Sequence, residues 1–166
     1  MYANEDVCKL YPKCNVIDGI LVYHDSDFTV KTFGVAHNVD CNTFVVDTCD
    51  NIRILYVTDA KFIPCTVKNV DYAIIECNYS DDDIIDAMVE GIDIRSHYYQ
   101  HQNLNGCIDY LKHIYNPNLK TVVLWHASST NLDKNKAVKR VQSELSFKNV
   151  CVAHKDLEIE MIKDEF

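Results

Sequence analysis

The sequence predicts an α/β (α+β) fold in which a mixed β-sheet carries its helices on one face. Segments rich in β-branched and aromatic residues fill the first third of the 166-residue chain, and helical patterns alternate with short apolar strands after it. No repeat, low-complexity stretch or Pro/Gly-rich linker divides the sequence. We therefore expect one domain that spans residues 1–166.

The predicted strands of the first part are separated by polar turns. Residues 17–23 and 28–35 flank a turn of four polar residues, and residues 43–48 and 52–58 flank a hairpin loop. Residues 71–77 form an apolar run, which is expected of a strand that is covered on both faces.

Two helices are predicted from their capping residues and apolar spacing. Ser80 has the features of an N-cap, and Gly91 follows the expected end of that helix near residue 90. The second helix begins near Asn103, because apolar residues recur every three or four positions after it, and Pro117 ends it.

The last part of the chain is predicted as a strand, a helix and a hairpin. Residues 121–125 read as a short buried strand, and Asn131 is the expected cap of a helix over residues 132–145. Residues 150–153 and 157–162 alternate in polarity, so we expect them to close the sheet as a hairpin.

Composition limits the classes of function. The formal net charge of −9 disfavours a broad nucleic-acid-binding face, but it leaves open a phosphate-bearing substrate that metal ions hold. The chain has no apolar run of about 18 residues and no secretory signal at its N-terminus, so we expect a cytoplasmic protein. Its eight cysteines include no C-x-x-C pair and are expected to be reduced thiols.

Polar side chains follow three of the predicted strands. His37, Asp59 and His126 each stand directly after an apolar segment. Ligands gather where the strands of open α/β sheets end, and imidazole and carboxylate groups are ligands of zinc and similar ions. Each residue alone is more typical of a turn or a hydrogen-bonded surface position. The recurrence of one arrangement three times predicts a metal site.

Other polar residues permit alternative interpretations. His97 and His101 have the i, i+4 spacing of a zinc-binding helix, but Tyr98 stands where a metalloprotease needs glutamate. Glu76 and Asn78 close a strand and either order a ligand or cap the next helix. Four basic residues of the last predicted helix form a solvated face or contact a substrate phosphate: Lys134, Lys136, Lys139 and Arg140.

Four segments together resemble the C-terminal half of metallo-β-lactamase-fold hydrolases, in particular the branch of ribonuclease Z-like and phage-type phosphodiesterases. They are FGVAHN at 33–38, YVTD at 56–59, DYAIIECNY at 71–79 and LWHASS at 124–129. Their order and spacing agree with that family from about residue 15 to residue 162. The resemblance implies one sheet of a four-layer αββα sandwich, with helices on the outer face of that sheet.

The same resemblance implies roles for four residues. His37 matches the third metal motif of the family, Asp59 the carboxylate that bridges two metal ions, and His126 the last metal-binding histidine. His101 matches a histidine beside the substrate phosphate, which makes it the candidate catalytic residue. The family site holds two zinc ions, with manganese or iron as alternatives.

The chain departs from the family at its defining signature. H-x-H-x-D-H supplies most metal ligands of these hydrolases, and this sequence contains no H-x-H. We therefore expect an incomplete site with weak or no metal binding by this chain alone. One sheet face should be apolar and uncovered, and should pair with an N-terminal half-domain or with a second copy.

Three interpretations of function follow. The first is part of a metal-dependent hydrolase with a phosphodiester substrate and nuclease-like chemistry. The second is a non-catalytic remnant or interaction subunit that pairs through its uncovered sheet face. The third is an unrelated α/β domain in which the polar residues at the strand ends are a coincidence.

Overall fold

The computed structural model describes residues 2–3, 5–11, 13–17 and 22–162. Near the N-terminus, helix α1 (Glu5–Leu10) lies between two short parallel strands, β1 (Tyr2–Ala3) and β2 (Asn15–Val16). The rest of the described chain forms a seven-stranded sheet in the order β3-β4-β5-β6-β7-β8-β9, together with four further helices.

The first four strands of this sheet form an antiparallel meander. They are β3 (Val22–His24), β4 (Phe28–Val35), β5 (Cys41–Thr48) and β6 (Arg53–Tyr56). The predicted strands and the hairpin loop at residues 49–51 are confirmed here. Of the strand expected at 17–23, residue 17 lies outside any strand, residues 22–23 belong to β3, and residues 18–21 lie outside the described residues.

The last three strands run parallel to β6 and to one another, which makes the sheet mixed. They are β7 (Tyr72–Glu76), β8 (Thr121–Trp125) and β9 (Val150–Val152). Helices α2 (Asp81–Val89), α3 (Arg95–Gln100) and α4 (Leu104–Ile114) connect β7 to β8, and α5 (Lys134–Leu145) connects β8 to β9. The carboxyl ends of β6, β7 and β8 consequently meet at one edge of the sheet.

Helices α4 and α5 pack on one face of the sheet. Alternate residues of the central strands, such as Leu55, Ile75 and Leu124, are fully buried against Leu111 of α4 and Val141 of α5. The period of two along strands and about 3.6 along helices puts these apolar positions on facing surfaces. The predicted sheet with helices on its outer face is therefore confirmed.

The opposite sheet face is also apolar but is less completely covered. Phe44, Tyr56 and Ile74 share this face through the strand register and are only half-buried. Trp125 lies on the same face and is 37% exposed. Tyr72, in contrast, is buried there, and its hydroxyl donates to the carbonyl of Ile162.

The helix caps agree with the sequence at two positions and differ at one. Ser80 accepts a hydrogen bond from the Asp83 backbone amide, and Asn103 accepts one from Gly106. The cap of α5 is Asp133, because its side chain accepts from two backbone amides of the first turn, whereas the predicted cap Asn131 is fully buried.

The predicted closing hairpin is wrong. β9 pairs in parallel with β8, because α5 carries the chain back across the sheet before β9 begins. Residues 157–162 form no strand. Ile162 instead contacts the Tyr72 hydroxyl through both its amide and its carbonyl. Helices α1 and α3 were not expected from the sequence.

All eight cysteines are free thiols, and Cys77 and Cys107 are buried. No helix of the described residues has both the length and the apolar composition needed to cross a membrane.

Candidate metal centre

Three neighbouring parallel strands each deliver one polar side chain to the same sheet edge. Asp59 follows β6 after two residues, Glu76 is the last residue of β7, and His126 directly follows β8. The parallel register aligns the ends of these strands, with Glu76 opposite Trp125. His101 joins them from the C-cap of α3.

Asp59 and His126 both have left-handed backbone conformations, with φ of 51° and 52°. This region is unfavourable for residues with a Cβ, although aspartate and histidine occur there more often than most. A non-glycine residue held there at a strand end is typical of functional sites, where the surrounding structure maintains a strained turn. Both side chains belong to the cluster that follows.

Four side chains converge at this edge. Asp59, Glu76, His101 and His126 each offer one ligand atom, and these atoms all lie within 4.8 Å of one another. Glu76 is fully buried, His101 is mostly buried, and Asp59 and His126 are partly open to solvent. The buried Glu76 therefore holds the cluster on its protein side, whereas Asp59 and His126 leave it accessible to solvent.

Glu76 orders the two imidazoles. Its Oε1 lies 2.6 Å from Nδ1 of His101 and 3.0 Å from Nδ1 of His126, while its Oε2 accepts the backbone amide of Ala60. Where Oε1 of Glu76 accepts a hydrogen bond from these rings, Nδ1 of each ring carries the hydrogen. Each ring then keeps a lone pair on Nε2, which is the form of histidine that binds metals.

Asp59 lies against the same imidazoles. Its Oδ1 is 3.4 Å from Nδ1 of His126 and 4.0 Å from Nδ1 of His101. The Thr58 hydroxyl donates to the other oxygen, Oδ2, at 3.1 Å. One carboxylate oxygen of Asp59 consequently faces the centre of the cluster.

His37, which the sequence also proposes as a ligand, borders this group of four. Its Nε2 lies 3.9 Å from Oδ1 of Asp59, and its ring centroid lies 5.0 Å from that of His101. Its Nδ1 is 2.8 Å from the carbonyl of Gln100, which holds the ring beside the cluster.

His97 belongs to a supporting network. Its Nδ1 lies 2.7 Å from Oδ1 of Asn78, and the Asn78 amide group donates to the carbonyl of His126. Burial lowers the pKa of His97, and the positive charge that His101 and His126 can carry lowers it further. His97 is not among the four clustered residues, and Asn78 contacts both His97 and His126, whereas Ser80 caps the next helix.

The cluster gives its surroundings a negative potential. Burial raises the pKa of the Cys41 thiol, and the carboxylates of Asp59 and Glu76 raise it further. Burial and Asp59 likewise raise the pKa of the Tyr56 hydroxyl. Negative charge that disfavours nearby anions favours a bound cation.

The donor set fits a transition-metal ion. Two imidazoles and two carboxylates are ligands that zinc, manganese and iron all accept. The sequence left Glu76 between ordering a ligand and capping a helix, and did not propose it as a metal ligand or catalytic residue. Its signal was a glutamate at the last position of a buried strand, where an ionisable group is rarely buried without a partner.

No family model matches the chain, and no curated protein matches it. The chain is similar to several solved structures, of which three are given below. The metallo-β-lactamase fold protein YhfI from Bacillus subtilis superposes with a TM-score of 0.69 at 16% identity, over 92% of this chain and 59% of that one. The short form of human tRNase Z gives a TM-score of 0.58 at 17% identity, over 97% of this chain and 54% of that one.

A mutant of the β-hydroxylase CmlA superposes with a TM-score of 0.54 at 10% identity, over 85% of this chain and 32% of that one. At these identities the similarity shows the fold alone. The chain therefore has the metallo-β-lactamase fold. It spans between 32% and 59% of the length of these three structures.

Proposed function

We propose that this chain supplies part of the metal centre of a metallo-β-lactamase-fold hydrolase that acts on phosphodiesters, with nuclease-like chemistry. The observation that carries the proposal is the convergence of four ligand atoms within 4.8 Å at the ends of three parallel strands. The name of the similar tRNase Z supports a phosphodiester substrate, whereas the name of CmlA describes a hydroxylase. The fold alone does not determine the reaction, so the proposal rests on the clustered side chains.

We assign metal binding to His37, Asp59 and His126, with zinc as the ion. Bound zinc supplies Lewis acidity toward a phosphoryl oxygen and lowers the pKa of a bound water. We assign Glu76 to orienting the imidazoles of His101 and His126, because its two carboxylate oxygens contact these rings and the backbone amide of Ala60. His101 lies beside this centre and is assigned to the substrate phosphate.

The absence of H-x-H in the sequence supports an incomplete centre. A catalytic zinc typically takes three protein ligands and a water. With two ions sharing these residues, each ion would have fewer ligands than that. We therefore propose that full activity needs further ligands from another polypeptide segment, such as an N-terminal half-domain.

Hydrolysis of bis(4-nitrophenyl) phosphate by the zinc-loaded and manganese-loaded chain tests the function. We expect slow hydrolysis that needs the metal and that falls by about tenfold or more in Asp59→Ala and His126→Ala. His154→Ala, which removes an exposed imidazole elsewhere, should keep the wild-type rate. A hydrolysis rate that depends neither on the metal nor on these substitutions would contradict the proposal.

A second candidate function is that of an interaction subunit without catalysis. The half-covered sheet face of Phe44, Tyr56, Ile74 and Trp125 favours it, because soluble monomers rarely expose a large apolar patch. The rings of Tyr56 and Trp125 lie 6.0 Å apart on this face. A chain that binds metal but hydrolyses no diester would favour this candidate.

Trp125 is the only tryptophan and so reports on this face directly. If the face pairs with a second copy, sedimentation velocity should show a dimer, and the Trp125 emission should shift to shorter wavelength as concentration rises. Phe44→Glu should abolish both effects, whereas Tyr115→Glu, an exposed aromatic residue of another surface, should not. Concentration-independent emission from a monomer would exclude self-association through this face.

A further inference from the structure

Helix α2 has an apolar surface much wider than the part that the fold buries. Only Ile84 and Ala87 of this helix are buried. At about 100° per residue, further apolar side chains continue the same surface into solvent. They are Ile85, Met88 and Val89, of which Val89 is 83% exposed.

Helix α3 extends this apolar surface. Tyr98 and Tyr99 are both exposed, Tyr99 to 70% of its area, and Ile92 lies exposed in the connection between the helices. A groove of about 570 Å³ runs between α2 and α3, with Ile84 and Met88 on one side and Ile94 and Tyr98 on the other. We call the exposed residues of this region the α2–α3 surface: Ile85, Met88, Val89, Ile92, Tyr98 and Tyr99.

An acidic stripe borders the α2–α3 surface. Asp82, Asp86 and Glu90 are four residues apart, so they lie in one row along α2 beside Val89. All three are exposed, and none forms an ion pair within the described part of the chain. Arg95, the one basic residue between positions 81 and 95, is paired with Asp93 at 2.7 Å.

We propose that the α2–α3 surface binds a basic amphipathic helix of a partner protein. An apolar groove between two helices accepts the apolar face of a third helix, and exposed methionine and tyrosine are typical of such binding surfaces. The unpaired acidic stripe selects lysine and arginine along the edge of the bound helix. The proposal does not depend on the metal centre.

The charges argue against two other occupants. In a two-fold dimer through this surface, the same acidic stripe would approach its own copy, in a chain whose net charge is already −9. An anionic membrane would repel the stripe in the same way. A basic partner gains from the charge that disfavours both of these.

Fluorescence anisotropy with labelled model peptides tests the proposal on the intact chain. The probe is an amphipathic helical peptide of leucine and lysine. One control has the same composition with its leucines spread around the helix, and a second replaces lysine with glutamate. We expect the probe to bind at least about tenfold more tightly than either control.

Two sets of variants connect binding to this surface. Val89→Glu should weaken probe binding by about tenfold, whereas Leu10→Glu, at an apolar position that is 76% exposed on α1, should not. The triple variant Asp82→Asn, Asp86→Asn, Glu90→Gln should lower the affinity and flatten its dependence on salt. A matched triple variant in the C-terminal segment should keep both properties: Asp156→Asn, Glu158→Gln and Glu160→Gln. Circular dichroism checks that each variant is folded.

Several outcomes would overturn the proposal. Equal binding of the lysine and glutamate peptides would remove the basis for a basic partner. If Val89→Glu left probe binding unchanged, the probe would bind at another surface. If sedimentation velocity showed a dimer of the wild type that Val89→Glu dissociates, the occupant of the surface would be a second copy of the chain. If the chain bound phosphatidylcholine vesicles and Val89→Glu abolished that binding, the occupant would be a lipid surface.

Discussion

Nδ1 of His101 lies 2.6 Å from Oε1 of Glu76, a fully buried carboxylate that also contacts His126 and the amide of Ala60. A buried carboxylate is costly unless hydrogen bonds satisfy it, and here three donors do so. Glu76 thus fixes the orientation and the tautomer of two imidazoles at once. Its contribution to the metal centre is one of positioning.

Glu76→Gln tests this positioning role. The carboxamide keeps the shape of the side chain but loses the charge. Its amide nitrogen cannot accept hydrogen bonds from the donors that surround Glu76. We expect zinc affinity to fall by about tenfold to a hundredfold. Calorimetric titration gives the affinity, and ¹⁵N NMR of the imidazoles should show loss of the fixed Nδ1–H tautomer. Glu144→Gln, at an exposed surface ion pair, should alter neither.

His126 provides a prediction about backbone strain. Its φ of 52° is unfavourable for a residue with a Cβ, by about 1–2 kcal/mol. In the metal-free chain, His126→Gly should therefore unfold with a free energy about 1 kcal/mol higher than that of His126→Ala. Urea denaturation measures both variants.

The control pair Lys139→Gly and Lys139→Ala, on α5, should give the opposite order of unfolding free energies. Lys139 is exposed within this helix, where glycine is less stable than alanine by about 1 kcal/mol. If His126→Gly were also less stable than His126→Ala, the left-handed turn would not be a source of strain.

The Asp47–Arg53 pair predicts a pH dependence far from the metal centre. Hydrogen bonds from Arg53 to both carboxylate oxygens hold the pKa of Asp47 below its ordinary value, and the charges of Arg53 and Lys31 add to this. A carboxylate with a lowered folded-state pKa stabilises the fold above its unfolded pKa of about 3.9. That stability is lost as the pH falls through the folded-state pKa.

Asp47→Asn should remove this contribution. The free energy of unfolding of the variant should fall less steeply than that of the wild type as the pH drops below about 4. Urea denaturation across this pH range measures the difference, with Asp50→Asn at a neighbouring exposed position as the control. Parallel pH profiles for wild type and Asp47→Asn would show that the ion pair does not stabilise the fold.

The sequence predicted most of the sheet and the helices that cover it, because apolar periodicity and strong caps such as Ser80 are local signals. It did not predict that β9 pairs in parallel with β8, since pairing partners depend on the crossover through α5. Asn131 and Asp133 are both good capping residues. The structure decides between them, because Asp133 accepts from two backbone amides of the first turn, whereas Asn131 is buried.

At the candidate site, strand ends pointed to His37, Asp59 and His126 as predicted ligands, and their roles stay predictions. The structure brings Asp59 and His126 together with Glu76 and His101, and puts His37 beside them. The sequence left the role of Glu76 open, because its importance lies in contacts with residues 25 and 50 positions away. Such long-range contacts leave no pattern in one sequence.

Calorimetric titration of the metal-free chain with zinc, wild type beside Asp59→Ala, tests the central claim most directly. Asp59 presents an oxygen to the cluster, so we expect wild-type binding in about the micromolar range and its loss in the variant. Asp156→Ala, at an exposed position of the C-terminal segment, should bind as the wild type does. Zinc binding that is absent from the wild type, or that is equal in Asp59→Ala, would contradict a metal centre at these strand ends.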